Sequence, residues 1–166
     1  MATSALASVN EYLSTSYDPD CEYIEGIILE RNVGERDHST LQGATFAWMF
    51  NRRRELGIAV FPEQRVQVNP TRFRVPDVCV TLEVPEEQIF TKPPFICIEI
   101  LSPEHGLSAM QERVTDYLNM GVTYIWILDP KTRLAYRWTA QGMHQISELR
   151  TDDPTILVPL AGIFEA

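Results

Sequence analysis

Two stretches decide the fold: RVPDVCVTL, Arg74–Leu82, and FICIEILS, Phe95–Ser102. Both are short, apolar and rich in β-branched residues, the pattern of strands buried on both faces. Each carries one carboxylate, Asp77 or Glu99, where the pattern calls for Val or Ile. An ionised carboxylate in apolar surroundings costs several kcal/mol unless something positive meets it. A divalent cation is the natural candidate. The segment between the runs, Glu83 to Pro94, is acidic and proline-rich, which suits an exposed loop returning the chain antiparallel. In that arrangement the start of the first strand lies beside the end of the second, so Asp77 and Glu99 fall at one end of a sheet.

Upstream, Ser8 and Glu11 make a capping box for a short helix, and CEYIEGIILERN reads as a hairpin turning at Glu25-Gly26, with Ile24, Ile27 and Leu29 as its apolar contacts. A helix is expected from Asp37, as N-cap, to Leu56, closed by Gly57, with Arg52, Arg53 and Arg54 complementing its negative end. Its apolar residues nearly encircle it, so a second face is expected to pack on the terminal segments or on another subunit; a homodimer follows from the latter. Ile58 to Val68 reads as one strand weakened at Pro62, and Phe73 to Leu82 as the next.

Downstream, Ser108 and Gln111 open a helix that Gly121 closes, with Met110, Val114, Tyr117 and Leu118 as its buried stripe. Arg113 lies on the flank of that stripe, where a long side chain reaches toward the carboxylates. VTYIWILD is a fully apolar strand, LAYRW and MHQISEL form a hairpin, and TILVPLAGIF is an apolar tail that docks on the body. Glu112 and Asp116 are expected on a solvated helix face. Trp48, Trp126 and Trp138 read as core or half-buried, and His105 and His144 have no partner that the sequence names.

With 166 residues the whole chain, 1–166, reads as one domain, an α/β (mixed α+β) fold whose mixed sheet is flanked by helices, with additional β-hairpins. The three cysteines, Cys21, Cys79 and Cys97, are widely spaced and two fall in apolar runs, which points to free thiols and a cytoplasmic location. No stretch is long enough to span a bilayer, so no membrane partner is expected. The net charge of −9 argues against generic attraction to nucleic acid, although bound cations offset carboxylate charge locally.

The order of these pieces resembles the PD-(D/E)XK nuclease superfamily and, more closely, the Uma-two family of restriction-endonuclease-like proteins, known mainly as a domain of unknown function. The resemblance rests on EYIEGIILERN, His38-Ser39, PEQRVQV, RVPDVCV, CIEILSPE, ERVTDYLNMGV and YIWILDP, in that order. It implies a restriction-endonuclease-like sheet and a metal-dependent endonuclease acting on DNA, with Asp77 and Glu99 holding Mg²⁺ or Mn²⁺ and the carbonyl of Ile100 as a backbone ligand. Hard carboxylate oxygens suit those ions. Glu63 is a candidate third ligand, or else an edge carboxylate paired with Arg65. His38 and Gln42 share a helix face one turn apart: His38 is a catalytic candidate to meet a scissile phosphate or a metal-bound water and Gln42 a substrate contact, or else they mark a solvated helix start. Arg74 is a candidate substrate contact.

The lysine of the superfamily motif, two residues after Glu99, is replaced by Leu101; Arg113 stands where the family carries its cation on the following helix. Arginine binds phosphate well but accepts no proton, so it is no general base. Glu99 has a plainer alternative as the buried partner of Arg113 or Arg74. The alternative function is therefore a catalytically weak or inactive nuclease-fold protein that serves as a binding or regulatory module. A two-carboxylate glycosidase is the remaining enzyme class, and no sugar-stacking cleft is legible for it.

Overall fold

The central sheet has six strands, and its order follows from where the chain can turn back. The computed structural model describes residues 6–31, 34–103 and 107–166, with the side chain of Leu107 excepted; His105 lies outside the described residues. Among these are twelve strands and five helices. After helix α1 (Val9–Ser14), capped by the Ser8 hydroxyl accepting from the Glu11 amide, strands β1 (Cys21–Ile24) and β2 (Ile27–Glu30) form the expected hairpin. Its turn places Glu25 at φ 50° and Gly26 at φ 94°, two left-handed residues in succession, as a tight hairpin requires. Ile24 is buried as expected, but Ile27 and Leu29 are exposed, and further contacts come from Tyr23, which stacks with Tyr12 and meets Phe73 edge-on, and from Ile28.

Helix α2 (Arg36–Asn51) begins one residue earlier than Asp37 and takes Glu35, not Asp37, as its N-cap; a short helix α3 (Arg53–Leu56) follows, closed by Gly57 at φ 66°. Strands β3 (Ala59–Pro62) and β4 (Val66–Asn69) replace the single strand expected over Ile58–Val68, because Glu63 adopts φ 49° and breaks the extended chain. The second long run is also divided. Strand β5 (Arg72–Arg74) belongs to a four-stranded sheet, β2-β1-β5-β4, whereas β6 (Val78–Thr81) belongs to the six-stranded one, and Val75-Pro76-Asp77 carries the chain between them.

Strand β7 (Ile96–Ile100) pairs antiparallel with β6, and helix α4 (Leu107–Met120), ended by Gly121 at φ 100°, crosses over to β8 (Tyr124–Asp129), which pairs parallel with β7. Strands β9 (Leu134–Thr139) and β10 (Gly142–Ile146) complete the order β10-β9-β8-β7-β6-β3. Strands β11 (Glu148–Thr151) and β12 (Ile156–Pro159) pair with each other, and helix α5 (Ala161–Phe164) ends the fold.

The alternation of the buried strands divides the interior. Val78, Val80, Ile96, Ile98, Trp126 and Leu128 face a core shared with Leu41 and Met49 of α2, with Leu149, Ile156 and Val158, and with Ile163 of α5. Cys79, Cys97, Ile125 and Ile127 face the opposite core, under Val114 and Tyr117 of α4. The tail covers the second apolar face of α2: Phe46, Trp48 and Phe164 pack on the first core, and a Cβ on Gly162 would lie 3.0 Å from the Trp48 indole nitrogen. The chain's own terminus thus packs against α2 at Trp48, while Phe50, stacked on Phe46, stays 37% exposed. Among the described residues no helix is long and apolar enough to cross a membrane.

Candidate active site

Register places the two carboxylates. Val78 lies opposite Ile98 in the antiparallel β6–β7 pair, so the next position out puts Asp77 across from Glu99. By alternation Glu99 stands with Cys97 on the side covered by α4, where Arg113 and Tyr117 meet it. Asp77 turns over the end of the sheet, where one oxygen, Oδ2, accepts the Ile100 amide at 2.8 Å. The same oxygen lies 3.4 Å from Nε2 of His38, in the first turn of α2. The other, Oδ1, accepts from Arg31 Nη2 at 3.0 Å. Glu99 is 1% exposed and fully engaged: Oε2 accepts from Arg113 Nη1 at 2.9 Å and Oε1 from the Tyr117 hydroxyl at 2.5 Å.

These groups border a cleft of about 190 Å³ at the end of the sheet, reached by His38, Ser39 and Gln42 from α2 and by Met110 and Arg113 from α4. Asp77, Glu99, Glu63, Arg31, Glu35 and Ser102 add to its polar lining, and Ile100 borders it beside them. Six of the side chains singled out in the sequence, Asp77, Glu99, Arg113, His38, Glu63 and Gln42, therefore meet in one place. Gln42 Nε2 donates to the Asp77 carbonyl at 3.1 Å and to Glu63 Oε1 at 3.3 Å. Glu63 pairs with Arg31 at 3.4 Å rather than with Arg65, whose guanidinium lies over the Tyr12 ring.

Arg74 is the exception. It is 4% exposed, absent from the cleft lining, and committed to Glu22 at 3.0 Å and Asp116 at 2.6 Å, so it is a buried ion-pair residue rather than a substrate contact. Asp116 departs from the solvated face expected for it, being buried on Arg74 and Arg72, whereas Glu112 does lie exposed and pairs with Arg72 at 2.7 Å.

The residues that sequence reasoning missed are Glu22, Arg31 and Tyr117 as polar partners. Glu22, 2% exposed on β1, accepts from Arg74, from Arg113 at 3.1 Å and from the Val75 amide at 2.9 Å. It joins the cleft to a buried chain of alternating charge, Glu99–Arg113–Glu22–Arg74–Asp116. A signal existed: Arg74 and Arg113 lie on segments read as buried or flanking, and with Asp77 and Glu99 assigned to a cation they need carboxylates of their own.

Electrostatics separate the two cleft acids. Burial raises the Asp77 carboxyl, but the His38 hydrogen bond and charge, the Ile100 amide and Arg31 together hold it below its ordinary value. Burial pushes the Glu99 carboxyl up to about 7, against the opposing pull of Arg113 and Tyr117. His38 is raised, chiefly by its hydrogen bond to Asp77, and its other ring nitrogen, Nδ1, is buried without a hydrogen-bond partner.

Among the described residues no group of three or more His, Cys, Asp or Glu side chains forms a ready-made cation cage. Asp77 and Glu99 are nevertheless hard carboxylate donors facing one cleft, a set that suits a divalent cation which takes one or two protein carboxylates and leaves its other positions to water and substrate phosphate.

The family model Uma2, described as "putative restriction endonuclease", matches residues 9–163. Among solved structures the chain is similar to one described as a putative nuclease belonging to DUF820 from Anabaena variabilis ATCC 29413, with a TM-score of 0.78 and 21% identity over 94% of this chain and 96% of that one. At that identity the likeness concerns the fold. No curated protein matches the chain.

Proposed function

The chain belongs to the Uma2 family of restriction-endonuclease-like proteins, and from that premise we propose that it is a divalent-metal-dependent endonuclease hydrolysing DNA phosphodiester bonds. The observation that carries the reading is the meeting of Asp77 and Glu99 in one cleft with Arg113 and His38. Asp77, Glu99 and the carbonyl of Ile100 would hold Mg²⁺ or Mn²⁺, with Glu63 at the mouth of the cleft paired to Arg31. When bound, the ion supplies positive charge at the scissile phosphate.

The protein's own groups do the remainder. Tyr117 fixes one Glu99 oxygen and so sets the direction in which the other points. Arg113, anchored on Glu22 as well as Glu99, is a permanent cation held in place to offset charge that grows on the phosphate. His38 stands in the first turn of a sixteen-residue helix, where backbone amides favour an anion, and would donate to a phosphate oxygen once substrate is bound. Gln42 braces the backbone of Asp77.

One observation favours the second reading. Both carboxylates are already neutralised, Asp77 by Arg31 and Glu99 by Arg113, which is how a fold that has given up metal chemistry would satisfy them. The protein is then a binding or regulatory module. Incubating plasmid DNA with the protein at millimolar Mg²⁺ or Mn²⁺ separates the two. Cleavage that falls roughly a hundredfold or more in Asp77→Ala supports the nuclease; equal cleavage by the variant sinks it. No cleavage combined with no Mn²⁺ uptake in calorimetry favours the binding module.

A further inference from the structure

Arg31 and Arg113 each neutralise one cleft carboxylate, but they are anchored differently. Arg113 is shared between Glu99 and Glu22, both buried, so releasing Glu99 leaves it inside the protein on Glu22. Arg31 is shared between Asp77, whose side chain is 5% exposed, and Glu63, whose side chain is 49% exposed. Releasing Asp77 leaves Arg31 tethered to the solvent side of the cleft.

The two Asp77 oxygens also differ. Oδ2 is taken by the Ile100 amide and lies beside His38, whereas Oδ1 is held by Arg31. A divalent cation on Asp77 therefore competes with Arg31 for the same oxygen, and two positive groups cannot share it closely without repulsion. The displaced guanidinium still offers a planar fork of donors suited to a phosphate.

We propose that Arg31 is a phosphate-contact residue with two positions: counter-ion of Asp77 in the metal-free protein and, once a divalent cation occupies Asp77, a DNA-phosphate ligand tethered by Glu63. The inference rests on the metal-dependent nuclease reading and adds a residue to it. It makes the metal and the DNA respond to the loss of Arg31 in opposite directions. A purely structural salt bridge does not do that, since its loss loosens the site for both.

The test compares wild type, Arg31→Gln, which keeps a donor near Asp77 without the charge, and Arg31→Lys, which keeps the charge. Mn²⁺ binding is measured by calorimetry and by the rise in Tm that Mn²⁺ produces, and DNA cleavage at saturating Mn²⁺ gives KM and kcat separately. For Arg31→Gln the expected results are Mn²⁺ affinity increased about tenfold, a larger Mn²⁺-dependent rise in Tm, and KM for DNA increased about tenfold with kcat nearly unchanged. Arg31→Lys should keep near-wild-type Mn²⁺ affinity, because the charge on Asp77 stays, and show a smaller rise in KM than Arg31→Gln, because a point charge replaces the planar fork. Mn²⁺ affinity that is unchanged or weaker in Arg31→Gln, or an unchanged KM, overturns the assignment while leaving the nuclease reading intact. If no variant takes up Mn²⁺ and none cleaves DNA, the assignment and the nuclease reading fall together.

Discussion

Replacing Glu22 by alanine is the substitution that most severely tests the buried charge chain. Glu22 accepts from Arg74 at 3.0 Å, from Arg113 at 3.1 Å and from the Val75 amide at 2.9 Å, in a setting 2% exposed to solvent. Removing one member of a buried ion pair costs about 3–5 kcal/mol because the remaining charge stays desolvated. Here both guanidiniums keep another carboxylate, Asp116 for Arg74 and Glu99 for Arg113, so the low end of that range applies. The orphaned Val75 amide adds about 1–3 kcal/mol. Their sum, ~4 kcal/mol, corresponds to a fall in Tm of roughly 10 °C for a chain of this length. Glu22→Gln retains an acceptor for Val75 and should lose about half as much. Relieving one charge of a net −9 works in the opposite direction, but it is a diffuse effect that salt screens. Urea denaturation monitored by tryptophan fluorescence reads the difference directly. A loss below about 1 kcal/mol for Glu22→Ala would refute the role of Glu22 as the centre of the network.

Two glycines should respond with opposite signs. Gly43 lies within α2, and a Cβ added there would meet nothing within 4 Å, so Gly43→Ala should stabilise by about 0.5–1 kcal/mol; Gly57 has equal space but φ 66°, so Gly57→Ala should destabilise by about 1 kcal/mol, both measured by thermal melts. The three cysteines are buried and free, and burial raises the Cys79 and Cys97 thiols, so none should react with a thiol reagent at neutral pH until the protein unfolds. Rapid labelling of the native protein, followed by mass spectrometry, would contradict this.

What was legible in the sequence was what local pattern controls. The two apolar runs, the acidic loop between them and Gly121 after α4 sufficed to pair β6 with β7 and to set Asp77 across from Glu99. Breaks inside apolar runs were not legible. Val75-Pro76-Asp77 divides one long run between sheets with buried residues on both sides, so hydrophobicity does not change where that chain switches; around Glu63 the chain does turn polar, at Pro62 to Arg65, but such a break also suits a bulged edge strand. Glu22 was hidden for a different reason: its partners Arg74 and Arg113 lie 52 and 91 residues away, and a carboxylate in a hairpin is ordinarily solvated. The same distance in sequence concealed Arg31, whose contact with Asp77 spans 46 residues. The N-cap at Glu35 was missed because Asp37 is the better capping residue by type, and only backbone geometry decides between them.

Whether Asp77 and Glu99 share a cation is decided by anomalous scattering from a crystal of the protein soaked in Mn²⁺. One peak is expected in the cleft, with oxygens of both Asp77 and Glu99 about 2.0–2.2 Å away and Arg31 withdrawn from Asp77. A cleft without a peak at millimolar Mn²⁺, with Asp77 still holding Arg31 and Glu99 still holding Arg113, would contradict a shared metal site.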